Sequence, residues 1–527
     1  MLSLQKIPTG IKFPLYEGVK LINAAIEEAG RSRGESSNAL KTSNEAKTTA
    51  DDAKQTAVRT EAQLDQVTGA STIDPAVEQM KIDLEGFSHP SPDARLRSEL
   101  QKRDELLADE AAKAGSLISV TQFPYNAKLD GVIDDSQVIQ DALNYAKMNK
   151  IGFVLIPYTS KGVRIVNPLT VPKGVTLIGQ GTSQAGYLSG GSVGMGIFTK
   201  SHFILDDLTG TKPAITVEDN ATLQNIGFYY KSVDTNLTIG DVPTFPFTIK
   251  AKGFGYTLKN LSVVGASHFI DLESFERGTV EGIYGLVTKV AFRIRRSRDI
   301  SRIKDVHINP NIVFPVIEGA SSEYWSEHFV SLLKRDLTIF MVGSADFYYY
   351  DNVLAWGSNK FLHVVPRNFV DSDGVVFDDY PYTMSGSNIV ADNTKFGLYI
   401  ERPLSFTMKF SNLEIVPISK DGQAQGIVMT GGASGLIDIV NYESKGSTGE
   451  TDKHIVLDTN TVSMVNVSGR FIRPGDDTNR TSFEDMFTVT KDNKLNAEII
   501  FSKKIQLGST GPFTIQMKIV NTRMDCS

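Results

Sequence analysis

At 527 residues the chain is longer than one compact core holds, and 41% apolar residues mark it as globular, so several domains or one elongated repetitive domain are expected. A net charge of −7, with 54 Lys+Arg against 61 Asp+Glu and no dense basic cluster, argues against nucleic acid or a membrane surface as partner. Cys526 is the single cysteine, which excludes an intrachain disulfide framework and a cysteine zinc site. The opening "MLSLQKIPTGIKFPLYEG" has no apolar run of signal-peptide length, and no stretch reaches the ~18 apolar residues of a membrane-spanning helix. A product made in the cytoplasm is the expectation.

Residues 1–38 form a leading segment. From about Tyr16 to Lys113 the composition favours helix, rich in Ala, Glu, Lys, Gln and Asp. Small or apolar residues fall at Ala39, Ser43, Ala46, Ala50, Ala53, Ala57, Thr60, Leu64 and Val67, with steps alternating 4 and 3. That is a heptad seam, so 39–114 reads as a coiled-coil stem and linker. Alanine buries little area, so such a stem needs support from the domain C-terminal to it; a single solvated helix is the alternative. Turns are expected at Asp74-Pro75 and His89-Pro90-Ser91-Pro92, then a helix from about Asp93 to Ala112.

"LDGVIDDSQVIQDALNYA" comes next, with Asp130, Asp134 and Asp135 ahead of the stripe Val138, Ile139, Ala142, Leu143 and Ala146. These acids read as the N-terminal cap of an entry helix over 135–148, with Asp134 and Gln137 at capping-box spacing and Asp130-Gly131 as a turn.

Past residue 150 the chain turns to β-branched and aromatic runs of four to seven residues punctuated by Gly, Asn and Asp. Two-part units lead with Phe247, Phe269, Phe292, Phe340 and Phe361, spaced 22, 23, 48 and 21 residues apart. Later units begin near Leu398, Ile427, Ile455 and Phe487. A period in the twenties with several strands per unit predicts a stacked solenoid over 115–500, then C-terminal strands over 501–527. An ordinary β-sandwich explains that order less well. The 48-residue step is either two units or one unit plus an insert. The insert, 310–336, is expected to carry a short helix with Tyr324, Phe329 and Leu332 or Leu333 facing inward.

Two resemblances sharpen this reading. Asp74, Val77, Glu78, Asp83, Gly86, His89, Pro90, Arg95 and Leu96, after Ala-rich heptads, are similar to the helical stems of tail and baseplate proteins from phages of Gram-positive hosts. Asn126, Ala127, Asp130, Gly131, Asp134, Asp135, Ser136, Ile139, Gln140, Ala142 and Leu143 resemble the start of the pectate-lyase-like right-handed parallel β-helices. Leu169, Val171, Pro172, Gly174, Val175, Leu177, Gly179 and Gly181 continue that resemblance. Together they imply a mainly β chain of the phage tail spike or appendage kind. The resemblance implies a homotrimer that is part of the virion tail, is assembled in the host cytoplasm, and joins other tail or baseplate proteins through its N-terminus. It implies binding and cleavage of a host wall polymer, either teichoic acid or a wall or capsular polysaccharide; a binding-only spike or structural baseplate component is the alternative. In some spikes a C-terminal folding aid is removed, so processing of the C-terminus is a further expectation.

Glycoside hydrolysis needs two carboxyl groups across the scissile bond, and phosphodiester cleavage needs an acid and a base with cations or a divalent metal ion against the phosphate. Acids and aromatics are densest between Ser321 and Tyr382, which holds both tryptophans. The candidate catalytic residues are Glu323, Asp346, Asp351, Asp371 and Asp373. The candidate substrate-binding residues are Trp325, Tyr348, Tyr350, Trp356 and, from the basic run "RIRRSRDISRIK", Arg295. No motif assigns a cofactor, and a divalent cation is the one to consider. Acids at solenoid turns also serve as solvated strand caps, and His307 reads as a structural histidine.

Overall fold

The molecule is described by a computed structural model, which covers residues 82, 87–102, 117–181, 200–208, 210–231, 243–309, 330–377, 384–418, 423–445, 453–459, 463–472, 487–489, 494–501 and 514–519. The chain divides into a unit over Met1–Leu107 and a unit over Ala108–Ser527. In the first, a helix occupies 92–102, with Pro92 where a missing N–H costs nothing and the Ser91 hydroxyl accepting the Ala94 amide at 3.1 Å. Ion pairs Asp93–Arg97 (2.9 Å) and Arg95–Glu99 (3.0 Å) run along its surface. The heptads of 39–67 lie outside the described residues.

In the second unit the three acids of the entry segment serve the chain, but not as the expected capping box. Asp135 is buried and its two carboxylate oxygens accept the amides of Lys128 and Leu129, both at 2.8 Å, so it fastens the preceding segment. Asp134 accepts the Ser136 amide at 3.0 Å and the Val166 amide at 3.2 Å, joining the helix Ser136–Asn149 to the first turn of the solenoid. Asp130 closes its own turn on the amides of Val132 and Ile133. Gln137 bonds Asp141 instead of reaching back. Ile139, Ala142, Leu143 and Ala146 form the helix's buried stripe.

Beyond the helix, parallel strands pair in three successive stacks. The first runs through 117–119, 153–156, 176–179, 222–224, 257–259, 279–281, 302–304, 349–351, 385–387 and 409–411. The second joins 163–164, 203–204, 228–229, 263–264, 285–286, 307–308, 354–355 and 390–391. The third joins 169–171, 215–217, 249–251, 270–272, 292–294, 340–342, 362–364, 398–400, 427–429 and 455–457. Each strand pairs with the equivalent strand one coil away, so every coil contributes one strand to each of three sheets. The fold is a parallel β-helix.

Phe292, Phe340, Leu362, Leu398, Ile427, Ile455 and Phe487 stand in register down the third stack. The period read from the sequence is therefore the coil period, and the 48-residue step is one coil plus an insert. The insert's described part is the helix Val330–Asp336, with Leu332 and Leu333 buried; Tyr324 and Phe329 lie outside the described residues. The interior is layered, with Phe292 stacked on Phe340 at 5.0 Å and Phe340 edge-on to Phe361 at 5.5 Å.

The bend between the first and second stacks requires left-handed backbone. Asn225, Asn260, Asp305, Asn352, Asn388, Asn412 and Asn441 supply it with φ between 52° and 58°, and their side chains bond coil to coil. Asn412 donates to Asn388 and Asn441 donates to Asn412, each at 3.0 Å. Gly282 fills one step, where a Cβ would sit 2.5 Å from the Asn260 side-chain oxygen.

Candidate functional site

Strand alternation decides the fate of each predicted residue. Tyr348 and Tyr350 point into the core, 1% and 2% exposed, and burial pushes both hydroxyls far above their ordinary acidity range. They pack against each other at 5.7 Å, so the expectation that they grip substrate is corrected: these rings are interior packing, and Tyr349 between them is the one that faces out. Trp356 is half-buried at the end of its run in the second stack, in register with Asp392 and apart from the other candidates. Glu323, Glu327 and Trp325 lie outside the described residues.

Asp371, Asp373 and Arg295 come together, though not as free groups. A short hairpin, Phe369–Val370 paired with Val376–Phe377, folds over the outward side of the third stack. Its Phe377, with Phe369 and Val375, covers Met341 in a small second core outside the solenoid. Beneath it Arg293 donates to Asp271 (2.8 Å), Asp371 (2.7 Å) and Asp373 (2.9 Å), and its guanidinium lies 4.1 Å from the Phe247 ring centre. The second oxygen of Asp371 accepts the amides of Asp373 and Val375. Asp371 is therefore committed to holding the hairpin. Arg295 is neutralised by Asp271 at 3.0 Å and Glu273 at 3.5 Å, which leaves little of its charge for a substrate phosphate. Two strands along, the imidazole of His363 meets Glu401 at 2.6 Å. Burial lowers the histidine's pKa; burial acts the other way on Glu401, but the hydrogen bond with His363 outweighs it and holds that carboxyl below its ordinary value.

Asp351 is a ladder side chain of the first stack, accepting from Ser387 (2.5 Å) and Asn388 (3.1 Å). His307 is half-buried in the second stack, edge-on to Tyr284 at 6.4 Å, as a structural histidine is expected to be.

Asp346 is different. It sits at the corner where the third stack turns into the first, between two register points, the Ser297–Ala345 bridge and the Ser301–Tyr348 pair. It therefore faces Arg298 and Asp299 on the adjacent coil. Burial, and then the charge of Asp299, push its carboxyl above the ordinary aspartate range, with Arg298 pulling the other way. Asp299 is held below that range, first by the hydrogen bond from Arg277 and then by the Ile300 amide at 2.9 Å. Arg277 belongs to the next coil back, and its guanidinium lies 5.3 Å from the ring centre of Phe254 on the coil before that. Phe254, Arg277, Asp299 and Asp346 thus occupy one corner on four successive coils. Around them Ile300 (48%), Phe347 (57%) and Tyr349 (40%) are exposed.

Two carboxyl groups whose acidities are shifted in opposite directions thus stand on adjacent coils at one corner, with cations and outward-facing rings around them. Of the sequence candidates only Asp346 belongs to it. Asp299 and Arg277 carry no signal of their own: Asp299 stands within the basic run "RIRRSRDISRIK" and Arg277 is a lone cation among Glu273, Glu276 and Glu281. Among the described residues no group of three or more His, Cys, Asp or Glu is placed to hold a metal ion, and no helix is long and apolar enough to cross a membrane.

No family model and no curated protein sequence matches the chain. Among solved structures it is similar to the Dettilon tailspike protein, with 11% identity over 77% of this chain and 69% of that one and a TM-score of 0.40. It is also similar to the tailspike of E. coli bacteriophage HK620 in complex with a pentasaccharide (10%, 78% and 68%, TM-score 0.37). A hyperthermoactive exopolygalacturonase from Thermotoga maritima is a third (9%, 77% and 91%, TM-score 0.39).

Proposed function

We propose that this chain is a phage tail spike that binds a host cell-surface polysaccharide and hydrolyses it at the corner between the third and first stacks. The observation that carries the reading is the placing of Asp299 and Asp346 on adjacent coils at one corner beside the exposed Phe347 and Tyr349, with the Asp299 carboxyl held below and the Asp346 carboxyl raised above the ordinary aspartate range. Asp346 is the proton donor to the leaving oxygen and Asp299 the anionic partner at the sugar carbon. The HK620 tailspike was solved with a pentasaccharide, and a glycan is the substrate class proposed for this chain too; teichoic acid, a polymer of phosphodiester-linked units, is the alternative polymer. The heptads of 39–67 support a trimeric stem, with residues 1–38 joined to other tail proteins in the virion.

The test is incubation of the purified chain with polymer extracted from the host surface, followed by size-exclusion chromatography. Release of short fragments, abolished at least 100-fold by Asp346→Asn, is the expected result. Saturable binding with no loss of polymer size assigns the chain to the binding-only class instead.

A further inference from the structure

We propose that the outward face of the third stack, beside the hairpin, holds a second polymer-binding site, in which Lys360 takes an acidic group of a hydroxylated polymer unit. The inference rests on the chain binding a surface polymer. It does not rest on the corner cutting that polymer.

Lys360 is a half-buried cation that the protein seats but does not neutralise. Its ammonium lies 4.3 Å from the centre of the Tyr399 ring on the next coil, which fixes it against that face. Its one hydrogen-bond contact among the described residues is to Nε2 of His363, at 3.5 Å. That nitrogen has a single in-plane position, and Glu401 fills it at 2.6 Å, so no lone pair is left for Lys360. Among the described residues Lys360 forms no ion pair, and Glu401 reaches it only as a charge at longer range. A partly desolvated ammonium with unmatched hydrogens is costly, and burial lowers its pKa accordingly. An anion set against it supplies the missing acceptor.

The surroundings specify what carries that anion. His363 is 4% exposed and is walled edge-on by Tyr399 (5.5 Å) and by Phe369 of the hairpin (6.0 Å), so the pair it forms with Glu401 is held in place. The Glu401 side chain is 26% exposed and gives one oxygen to His363, which leaves the other as an acceptor for a hydroxyl. An ion pair to one group and an acceptor for a neighbouring hydroxyl suit a polyol with a single negative charge. A uronic acid unit and a glycerol phosphodiester unit both answer that description. The outward row of Lys360 continues coil by coil through Phe396, Gln425 and Lys453, each half-buried and none acidic. A polymer laid along the solenoid therefore meets another cation in the same row.

The experiment acetylates the full chain in the presence of D-glucuronate, glycerophosphoglycerol, glucose, or sodium chloride of equal ionic strength, and follows each lysine by peptide mass mapping. Acetylation consumes the free amine, so an anion seated on Lys360 slows it. Lys360 is expected to react about threefold more slowly with at least one of the two organic anions, while glucose and salt have no effect and the exposed Lys409 is unchanged throughout. Protection by glucuronate alone assigns a carboxylate, by glycerophosphoglycerol alone a phosphodiester, and by both the charge they share. No protection, equal protection by glucose or salt, or equal protection of Lys409 overturns the site. Binding of polymer extracted from the host surface is the second measurement: Lys360→Gln is expected to lose about tenfold in affinity and Lys360→Arg to regain most of it. Undiminished binding by Lys360→Gln overturns the role in polymer capture. A wild-type chain that binds through Lys360 and leaves the polymer whole removes hydrolysis at the corner and keeps this site; one that cuts the polymer with an affinity indifferent to Lys360→Gln does the reverse.

Discussion

Arg402 is the largest fully buried side chain among the described residues, and its position explains why the hairpin over the third stack stays down. It donates to the carbonyls of Gly343 (2.6 Å), Pro366 (2.9 Å) and Phe377 (3.1 Å), so one guanidinium ties the solenoid wall to both ends of the hairpin. Arg402→Met keeps the bulk but removes three hydrogen bonds from a charged donor. The Pro366 and Phe377 carbonyls keep the amides of Phe369 (3.2 Å) and Asn368 (2.8 Å), so the loss falls chiefly on the Gly343 carbonyl, at a cost of about 2–3 kcal/mol. The expected outcome is a lower unfolding temperature and new proteolysis within 366–377; an unchanged cleavage pattern shows that Arg293 and the small apolar core hold the hairpin alone. Lys200 is a second buried cation. It is 1% exposed, donates to the Asn260 carbonyl at 2.7 Å, and burial pushes its pKa down to about 7. Its folded value lies below the unfolded one, so between about pH 7 and 10.5 the unfolded chain holds the extra proton and stability rises with pH. Below about pH 7 both states are protonated and the cost of the buried charge is fully present. Urea midpoints at pH 7 and pH 9 test this: the gap between wild type and Lys200→Met should change with pH, and a constant gap refutes it. Neither residue announces itself in the sequence, because a buried cation is recognised by the carbonyls around it, and these come from chain positions tens of residues away.

The coils were the most legible part, since a solenoid must repeat its inward residues at the coil period, and Leu362, Leu398, Ile427 and Ile455 do so in register. What a repeat does not reveal is which parity of a strand faces in. "YYY" at 348–350 reads equally well either way, and only the neighbouring coils turn Tyr348 and Tyr350 inward and Tyr349 out. Asp371 and Asp373 were visible as acids, but their partner Arg293 lies 78 and 80 residues upstream, so their structural duty was not. At this scale the asparagine ladder makes a quantitative prediction. Asn412→Ala removes two coil-to-coil hydrogen bonds and forces alanine into a left-handed bend, together about 2–4 kcal/mol. Asn412→Gly loses the same bonds but accepts the bend, as Gly282 does four steps earlier in the ladder, so it should cost clearly less. Equal losses in chemical denaturation refute the division into backbone and side-chain parts.

For the molecule as a whole, the open question is what covers the corner column. Phe254, Ile300, Phe347 and Phe406 are each more than 40% exposed, and exposed apolar side chains that succeed one another along a solenoid mark an interaction surface. Two occupants compete for it: a glycan laid along the corner, or a second copy of this chain. The charged groups favour the glycan, because Arg277, Arg298, Asp299 and Asp346 sit amid the apolar residues, and a tight contact between copies would have to bury them with their hydration lost. An aromatic beside a cleavage site instead offers its face to a sugar while the charges stay wet. Replacing Phe347 by Ser removes a ring 57% exposed and therefore little of the fold's own packing. It should weaken polymer binding about tenfold, the equivalent of about 1.4 kcal/mol, and leave the solution mass by analytical ultracentrifugation unchanged. If the variant dissociates while its affinity per chain for polymer holds, the corner is an interface between copies, and the hydrolytic reading of Asp299 and Asp346 falls with it.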